Sequence, residues 1–242
     1  MTQNIYDNPE FFAGYSRLPR SVDGLDKAPE WPVLRGLISD LCGRRVVDLG
    51  CGYGWFCRWA RGQGAGSVLG VDVSEKMLAR ARSDTADAAI SYLRADMEHL
   101  DLPAASFDLA YSSLALHYVA DLAGMVTAVH RALASGGQLI FSVEHPIFTA
   151  PTHPGWTADA SGAKIWPVDG YLNEGPRRTN WLTKGVIKQH RTVTTYVNLL
   201  LRSGFALTHL EEWGPSDGQI AAEPGLADER QRPPFLIVAA RK

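Results

Sequence analysis

The chain has 242 residues, a formal net charge of −2 and an apolar fraction of 45%, enough to bury one large core. The near-neutral charge argues against nucleic acid as a partner, and no apolar run has the length of a membrane span. The three cysteines match neither a disulfide framework nor a zinc motif, so we expect a cytoplasmic protein that holds no metal. From its length we expect a single domain over residues 1–242.

Strand-like segments alternate with segments of helical period along the chain. The predicted strands are 45–49, 67–73, 90–96, 107–113, 137–144, 205–213 and 233–240. The predicted helices are 32–41, one from Trp55, one capped by Ser74, one from Asp121 that Gly136 and Gly137 end, and 192–203. This alternation predicts an α/β fold, a doubly wound and mostly parallel sheet.

The stretch "VVDLGCGYGWF", residues 46–56, passes from the first strand through three glycines into a helix. Asp48 stands two residues before the first glycine, and the spacing departs from the G-x-G-x-x-G of dinucleotide-binding loops. Beside a pyrophosphate this carboxylate would face like charge, whereas beside an ammonium it is favourable. The loop therefore favours S-adenosylmethionine, which has an amino-acid tail and no phosphate, over NAD.

Polar side chains follow the next three strands, at the sheet edge where an open α/β fold leaves a crevice. Asp72 follows the second strand and is a candidate to accept hydrogen bonds from a ribose. Asp96, with Met97 after it, is a candidate acceptor and apolar face for adenine. Ser112 and Ser113 end the fourth strand.

The chain resembles the class I S-adenosylmethionine-dependent methyltransferases, particularly the small-molecule group that includes the ubiquinone/menaquinone and biotin-pathway enzymes. The resemblance rests on five segments in the expected order and covers residues 32–146: "VVDLGCGYG", "GVDVSEKML", "RADMEHLDLP", "FDLAYSSLALHYV" and "RALASGGQLIFSVEHP". It implies a seven-stranded, Rossmann-like sheet whose last strand is antiparallel, a place that "PPFLIVAA" would fill.

The resemblance also implies roles for individual residues. Asp48, Gly50 and Gly52 would hold the methionyl end, Asp72 the ribose, Val73 and Met77 the nucleoside face, and Asp96 and Met97 the adenine, with Ser112 beside the sulfonium. Cys51 lies within the same loop, where we expect it to be an inert filler. Residues 1–31 would form a cap that brings Tyr15 or Arg17 to the cofactor.

The residues after the fourth and fifth strands are candidates for the methyl-acceptor side. His117 follows the fourth strand and is the candidate general base or orienting group. Glu144 and His145 follow the fifth. Residues 145–191 are too long for an ordinary connection, so we expect an irregular insertion that serves as a substrate lid.

Within that insertion, Arg178 and Arg191 are candidates to grip an anionic group, and Trp181 to pack an apolar one. The expected activity is thus methyl transfer by in-line displacement to a small, partly apolar metabolite that bears negative charge. Three alternatives stay open: an NAD(P)-dependent short-chain oxidoreductase, a methyltransferase acting on nucleic acid or protein, and a non-catalytic protein that binds S-adenosylmethionine.

Overall fold

A seven-stranded sheet forms the centre of the computed structural model, which describes residues 3–242. The strands in chain order are β1 Arg45–Leu49, β2 Ser67–Asp72, β3 Ile90–Arg94, β4 Phe107–Ser113, β5 Leu133–Glu144, β6 Thr157–Ala158, β7 Lys164–Ile165, β8 Gly175–Trp181, β9 Thr183–His190, β10 Ala206–Trp213 and β11 Phe235–Arg241. The sheet order is β10-β11-β5-β4-β1-β2-β3. β11 pairs antiparallel with both neighbours while β1 to β5 pair in parallel, which confirms the predicted fold.

Helices cover both faces of this sheet. They are α1 Pro9–Tyr15, α2 Pro19–Val22, α3 Trp31–Leu37, α4 Trp55–Gly62, α5 Glu75–Ser83, α6 Leu122–Ala132, α7 Pro146–Thr149, α8 Val193–Arg202 and α9 Asp217–Ala222. One core cluster joins α3, α4 and α5 to one face, and another joins α6 and α8 to the opposite face. No helix within residues 3–242 has both the length and the apolar character needed to cross a membrane.

Two helix ends differ from the predictions. α3 stops at Leu37 instead of Leu41 because Ile38 takes an extended backbone, with φ −78° and ψ 122°. α6 ends at Ala132, so Gly136 and Gly137 do not terminate it but lie inside β5. Gly136 has a φ of +75° there, a conformation that glycine adopts without strain.

The insertion at residues 145–191 contains α7 and two hairpins that the sequence did not predict, whereas residues 150–156 and 166–174 are irregular as expected. β6 pairs with β7, and β8 pairs with β9. Along β9 the buried positions alternate as Val186, Lys188 and His190. Because two of these inward residues are polar, the strand lacks the alternating hydropathy that marks a half-buried strand.

The N-terminal segment packs against the second hairpin. Phe11 of α1 and Val186 of β9 share a small apolar cluster, and the Gln3 side chain bonds the backbone of Gly185 and Ile187 at 3.1 and 2.9 Å. Residues 1 and 2 of the predicted cap lie outside the described residues. The segments 3–31 and 175–190 thus meet above the carboxyl edge of the sheet, where the predicted site lies.

Candidate functional site

A cavity of about 560 Å³ opens at the carboxyl ends of β1 to β5. Every one of these strands contributes through the residues that end or follow it. From the predicted set, the lining residues are Tyr15, Gly50, Gly52, Asp72, Val73, Met77, Asp96, Met97, His117, Glu144 and Trp181. Candidates for both halves of the reaction therefore share one cavity.

The glycine loop forms the floor of one end. The N–H groups of Gly50 and Cys51 donate to the carbonyl of Val71 at 2.8 and 3.0 Å, which ties the loop to β2. Gly50 has a φ of +78°, and a Cβ there would overlap the Cβ of Ala115. Gly52 has a φ of +52°, and a Cβ there would meet no atom of residues 3–242 within 4 Å. The first glycine is thus needed for packing, and the second leaves open space beside the cavity.

Asp72 is anchored at the end of β2 by two backbone donors. The N–H of Gly52 bonds Oδ2 and the N–H of Ser74 bonds Oδ1, both at 2.9 Å. Burial raises the pKa of Asp72 to about 6. Each carboxylate oxygen can accept a second bond, so Asp72 presents two acceptors to a ligand with adjacent hydroxyls.

Asp48 lies beneath the loop and does not line the cavity. The residue is 2% exposed, and its Oδ2 accepts a hydrogen bond from the Cys57 thiol at 3.3 Å. Burial, with a smaller contribution from the charge of Asp72, raises the pKa of Asp48 to about 7. Among residues 3–242 no basic side chain contributes to that pKa, so the charge of Asp48 would be favoured by a cation brought into the site.

The other end of the cofactor half is apolar. Val73, Met77 and Met97 line it together with Asp96, whose Oδ1 accepts the N–H of Glu98 at 3.1 Å. This end of the cavity therefore combines apolar side chains with one carboxylate. Met77 is 1% exposed.

Cys51 and Ser112 do not line the cavity. Cys51 is buried in the loop, and burial raises the pKa of its thiol well above the usual range. Ser112 is fully buried and donates to the carbonyl of Leu49 at 2.7 Å, because alternate residues of a strand face opposite sides of the sheet. Its neighbour Ser113 lines the cavity instead.

His117 lines the cavity, but its geometry does not suit a base. Nδ1 accepts a bond from the backbone N–H of Glu144 at 3.3 Å, and burial lowers the pKa of the ring to about 4. The ring is therefore neutral with its proton on Nε2. Since the remaining lone pair is already engaged, His117 is a hydrogen-bond donor, and the predicted role as proton acceptor is not supported.

Glu144 forms a buried ion pair with Lys188 of β9. Glu144 Oε1 accepts a hydrogen bond from the Lys188 ammonium. The nitrogen of this ammonium also lies 4.8 Å from the ring centroid of Trp181. Glu144 Oε2 is buried and has no hydrogen-bond partner in the part of the chain that the structure describes. Unpaired buried carboxylate oxygens are costly, so this atom is a place where a ligand donor would be favourable.

Three predicted substrate residues, His145, Arg178 and Arg191, do not line the cavity. His145 Nε2 bonds Glu212 at 2.9 Å and its Nδ1 accepts the N–H of Ile147. Arg178 is exposed on β8. Arg191 is buried, and its Nη2 donates to the carbonyls of Val119 and Ala120 at 2.6 and 2.8 Å. The predicted anion clamp is therefore not assembled, because one arginine faces outward and the other binds backbone.

The sequence predictions missed two groups that line the cavity. Arg20 donates through Nη2 to both oxygens of the fully buried Glu30, at 2.7 and 2.9 Å. Tyr6 and Tyr118 join Tyr15 and Trp181 in an aromatic wall, with Tyr6 to Tyr15 centroids 5.2 Å apart. Neither group belongs to a spaced motif, since the partners come from the N-terminal segment, β8 and the loop after β4.

Known proteins with similar sequences and structures carry the same fold. Residues 47–141 match a family described as a methyltransferase domain. A crystal structure of an S-adenosylmethionine-dependent methyltransferase from Mesorhizobium loti is 60% identical, with a TM-score of 0.88 over 90% of this chain and 100% of that one.

Two sequence relatives differ in how much they cover. An uncharacterized protein of Haemophilus influenzae is 32% identical over 99% of this chain and 97% of that protein. A malonyl-[acyl-carrier protein] O-methyltransferase of Erwinia billingiae is 41% identical over 101 residues, 41% of this chain and 39% of that enzyme. The latter similarity thus spans less than half of either protein.

Proposed function

The chain belongs to the S-adenosylmethionine-dependent methyltransferases, and we propose that it methylates a small metabolite with an apolar body. The observation that carries this proposal is the single cavity that joins Asp72 and the two methionines to Glu144, His117 and the aromatic wall. A cavity of about 560 Å³ is in the range for a cofactor and a small ligand.

The chemistry of the lining fits S-adenosylmethionine, which supplies a methyl group activated by a sulfonium. Asp72 offers two acceptors to the ribose hydroxyls, and Met77 and Met97 offer apolar faces to adenine. Arg20, held by Glu30, is our candidate for the methionyl carboxylate. The open space at Gly52 leaves room for the amino-acid tail.

The main task of the protein in this reaction is alignment. Tyr6, Tyr15, Tyr118 and Trp181 exclude water and orient the acceptor. Positioning two reactants in this way can lower a barrier by about 7–11 kcal/mol. Because neither Arg178 nor Arg191 lines the cavity, we propose an acceptor without negative charge at its reacting end.

Replacing Asp72 with Ala tests the cofactor half. We expect the affinity for S-adenosylmethionine and for S-adenosylhomocysteine to fall by about 1.5–3 kcal/mol, since hydrogen bonds to a charged group are lost. Titration calorimetry measures this, with Asp101→Ala as the control because that side chain is 94% exposed and pairs with Arg131.

The same titrations separate the alternatives. Unchanged cofactor affinity in a folded Asp72→Ala protein would refute the ribose role. Binding of NAD in place of S-adenosylmethionine would return the oxidoreductase alternative. If the cofactor binds but no small metabolite causes release of S-adenosylhomocysteine, a non-catalytic binding protein becomes the better interpretation.

We also propose that residues 1–31 and 145–191 together cover the bound ligands. Thr183 donates to Glu10 at 2.7 Å, so the hairpin β8–β9 and α1 would open as one unit. Limited proteolysis should cut this region more slowly when S-adenosylhomocysteine is bound, because closing a lid lowers local unfolding. Equal cleavage rates with and without ligand would argue against a lid.

A further inference from the structure

Glu144 lines the substrate end of the cavity, and its Oε2 is a buried acceptor with no hydrogen-bond partner among residues 3–242. We propose that Glu144 accepts the proton of the methyl acceptor, and that this acceptor is an amine or a hydroxyl compound instead of a carboxylate. This inference rests on the proposed methyltransferase function. It assigns to Glu144 the proton-accepting role that the sequence suggested for His117.

Lys188 is the positioning residue for this carboxylate. Its side chain is 4% exposed, and its ammonium is held between Glu144 Oε1 and the Trp181 ring. A buried charge pair of this kind keeps a fixed geometry, since removing either partner leaves the other charge unpaired. With Oε1 engaged, Oε2 is the Glu144 oxygen that lacks a partner within the described part of the chain.

His117 and Glu144 together present complementary groups to the acceptor. The backbone N–H of Glu144 occupies Nδ1 of His117, so the ring retains one donor, Nε2–H. The side chain of Glu144 retains one acceptor, Oε2. An amine or hydroxyl can both donate and accept hydrogen bonds, and it therefore matches this pair.

A carboxylate acceptor would be poorly matched to the same site. It would bring a second negative charge toward Oε2 in a buried environment, where like charges interact strongly. Of the two cations whose charge acts on His117, Lys188 is paired with Glu144, and Arg191 does not line the cavity and donates through Nη2 to the carbonyls of Val119 and Ala120. The aromatic wall formed by Tyr6, Tyr15, Tyr118 and Trp181 favours an apolar body next to the reacting group.

The proposed step balances without a further reactant. The nucleophilic nitrogen or oxygen forms a bond to the methyl carbon while the carbon–sulfur bond breaks, and the electron pair of that bond stays on sulfur as a neutral thioether. The N–H or O–H proton passes to Oε2 of Glu144. Opening of the cavity then returns this proton to water.

A binding experiment tests the acceptor class without turnover. The probes are benzylamine, benzyl alcohol and benzoate, which share one apolar body, titrated up to about 10 mM into protein saturated with S-adenosylhomocysteine and followed by ligand-observed NMR. We expect the amine and the alcohol to bind at least tenfold more tightly than benzoate. Glu144→Gln should weaken amine binding at least tenfold, whereas Glu211→Gln, on β10 outside the cavity, should not.

Turnover provides the second measurement. Amines, phenols, alcohols and carboxylic acids are screened for release of S-adenosylhomocysteine. With any accepted compound, Glu144→Gln should lower kcat by about 100-fold or more, the usual range for loss of a general base, while cofactor affinity stays within twofold. If Glu144→Gln does not fold because Lys188 is left unpaired, the double variant Glu144→Gln/Lys188→Met removes the buried charge and replaces it in both experiments.

The outcomes distinguish this inference from the function on which it depends. Failure of S-adenosylhomocysteine to bind would overturn the methyltransferase proposal itself. If it binds but benzoate is preferred, if none of the three probes binds, or if Glu144→Gln retains full turnover, the role of Glu144 is overturned and the methyltransferase proposal stands.

Discussion

Asp48→Asn should make the ligand-free protein more stable than the wild type above pH 7, by up to about 4 kcal/mol, while the two proteins are about equally stable near pH 4. The cause is the carboxyl group buried beneath the glycine loop, whose pKa is raised from 3.8 to about 7. Each pKa unit corresponds to about 1.36 kcal/mol, and an amide carries no charge to desolvate.

Proton linkage determines how Asp48 changes the free energy of unfolding with pH. The folded protein binds the Asp48 proton more tightly than the unfolded chain does, so this group contributes stability that is fully present below pH 4. That contribution is lost as the pH rises through about 7. Asp72, with a pKa raised to about 6, contributes in the same direction and remains in the Asn variant.

Urea unfolding between pH 4 and pH 8 measures this difference. Asp108→Asn is a control for which the change in stability with pH has the opposite direction. In the wild type, hydrogen bonds from Arg45 hold the pKa of Asp108 below its usual value. Its stabilising contribution is present at neutral pH and lost as the pH falls. Parallel pH profiles for wild type and Asp48→Asn would show that the burial of Asp48 carries no such cost.

Cofactor binding should reverse the advantage of the Asn variant. A ligand with an ammonium and a sulfonium favours the ionised forms of Asp48 and Asp72, so the wild type should release protons on binding between pH 6 and pH 7. Calorimetry in buffers of different ionisation enthalpy counts these protons. The Asp48→Asn protein should release fewer protons and bind the cofactor more weakly. It would then be more stable without ligand but have a lower affinity for it.

Sequence reasoning was most successful where function depends on neighbours in the chain. Gly50, Gly52 and Asp72 lie at the ends of strands that the hydropathy pattern identifies, so topology alone brings them to one edge of the sheet. The Asp72 carboxylate and the Gly52 N–H are 20 residues apart yet adjacent, because parallel strands with a helical crossover align their carboxyl ends.

Interactions set by distant backbone could not be predicted in the same way. The tautomer of His117 depends on an N–H group 27 residues away, and Arg191 is occupied by a carbonyl 72 residues away. Lys188 reads in the sequence as one more surface cation, and its pairing with Glu144 requires the fold of the β8–β9 hairpin. Residue type indicated chemical capacity there, but only geometry decides whether that capacity is already used.

Alanine substitutions at Gly50, Gly52 and Gly43 are expected to separate packing from ligand space. All three have positive φ, at +78°, +52° and +69°, so each substitution costs about 1–2 kcal/mol of backbone strain. The added methyl groups of Gly43→Ala and Gly52→Ala would meet no atom of the described residues within 4 Å, so both variants should show little more than this strain. Gly50→Ala adds the overlap with Ala115, about 1–3 kcal/mol for an overpacked site.

We expect the three variants to rank differently in their loss of stability, measured by chemical unfolding, and in their loss of cofactor affinity, measured by titration. The expected loss of stability is about 2–5 kcal/mol for Gly50→Ala, the sum of strain and overpacking, and is smaller and similar for the other two. Cofactor affinity should be unchanged in Gly43→Ala, which is exposed outside the cavity, and strongly reduced in Gly52→Ala, whose methyl group enters ligand space. Because these two variants carry matched strain, any difference in affinity between them reports on the space at Gly52, and equal affinities would mean that the cofactor does not approach this loop.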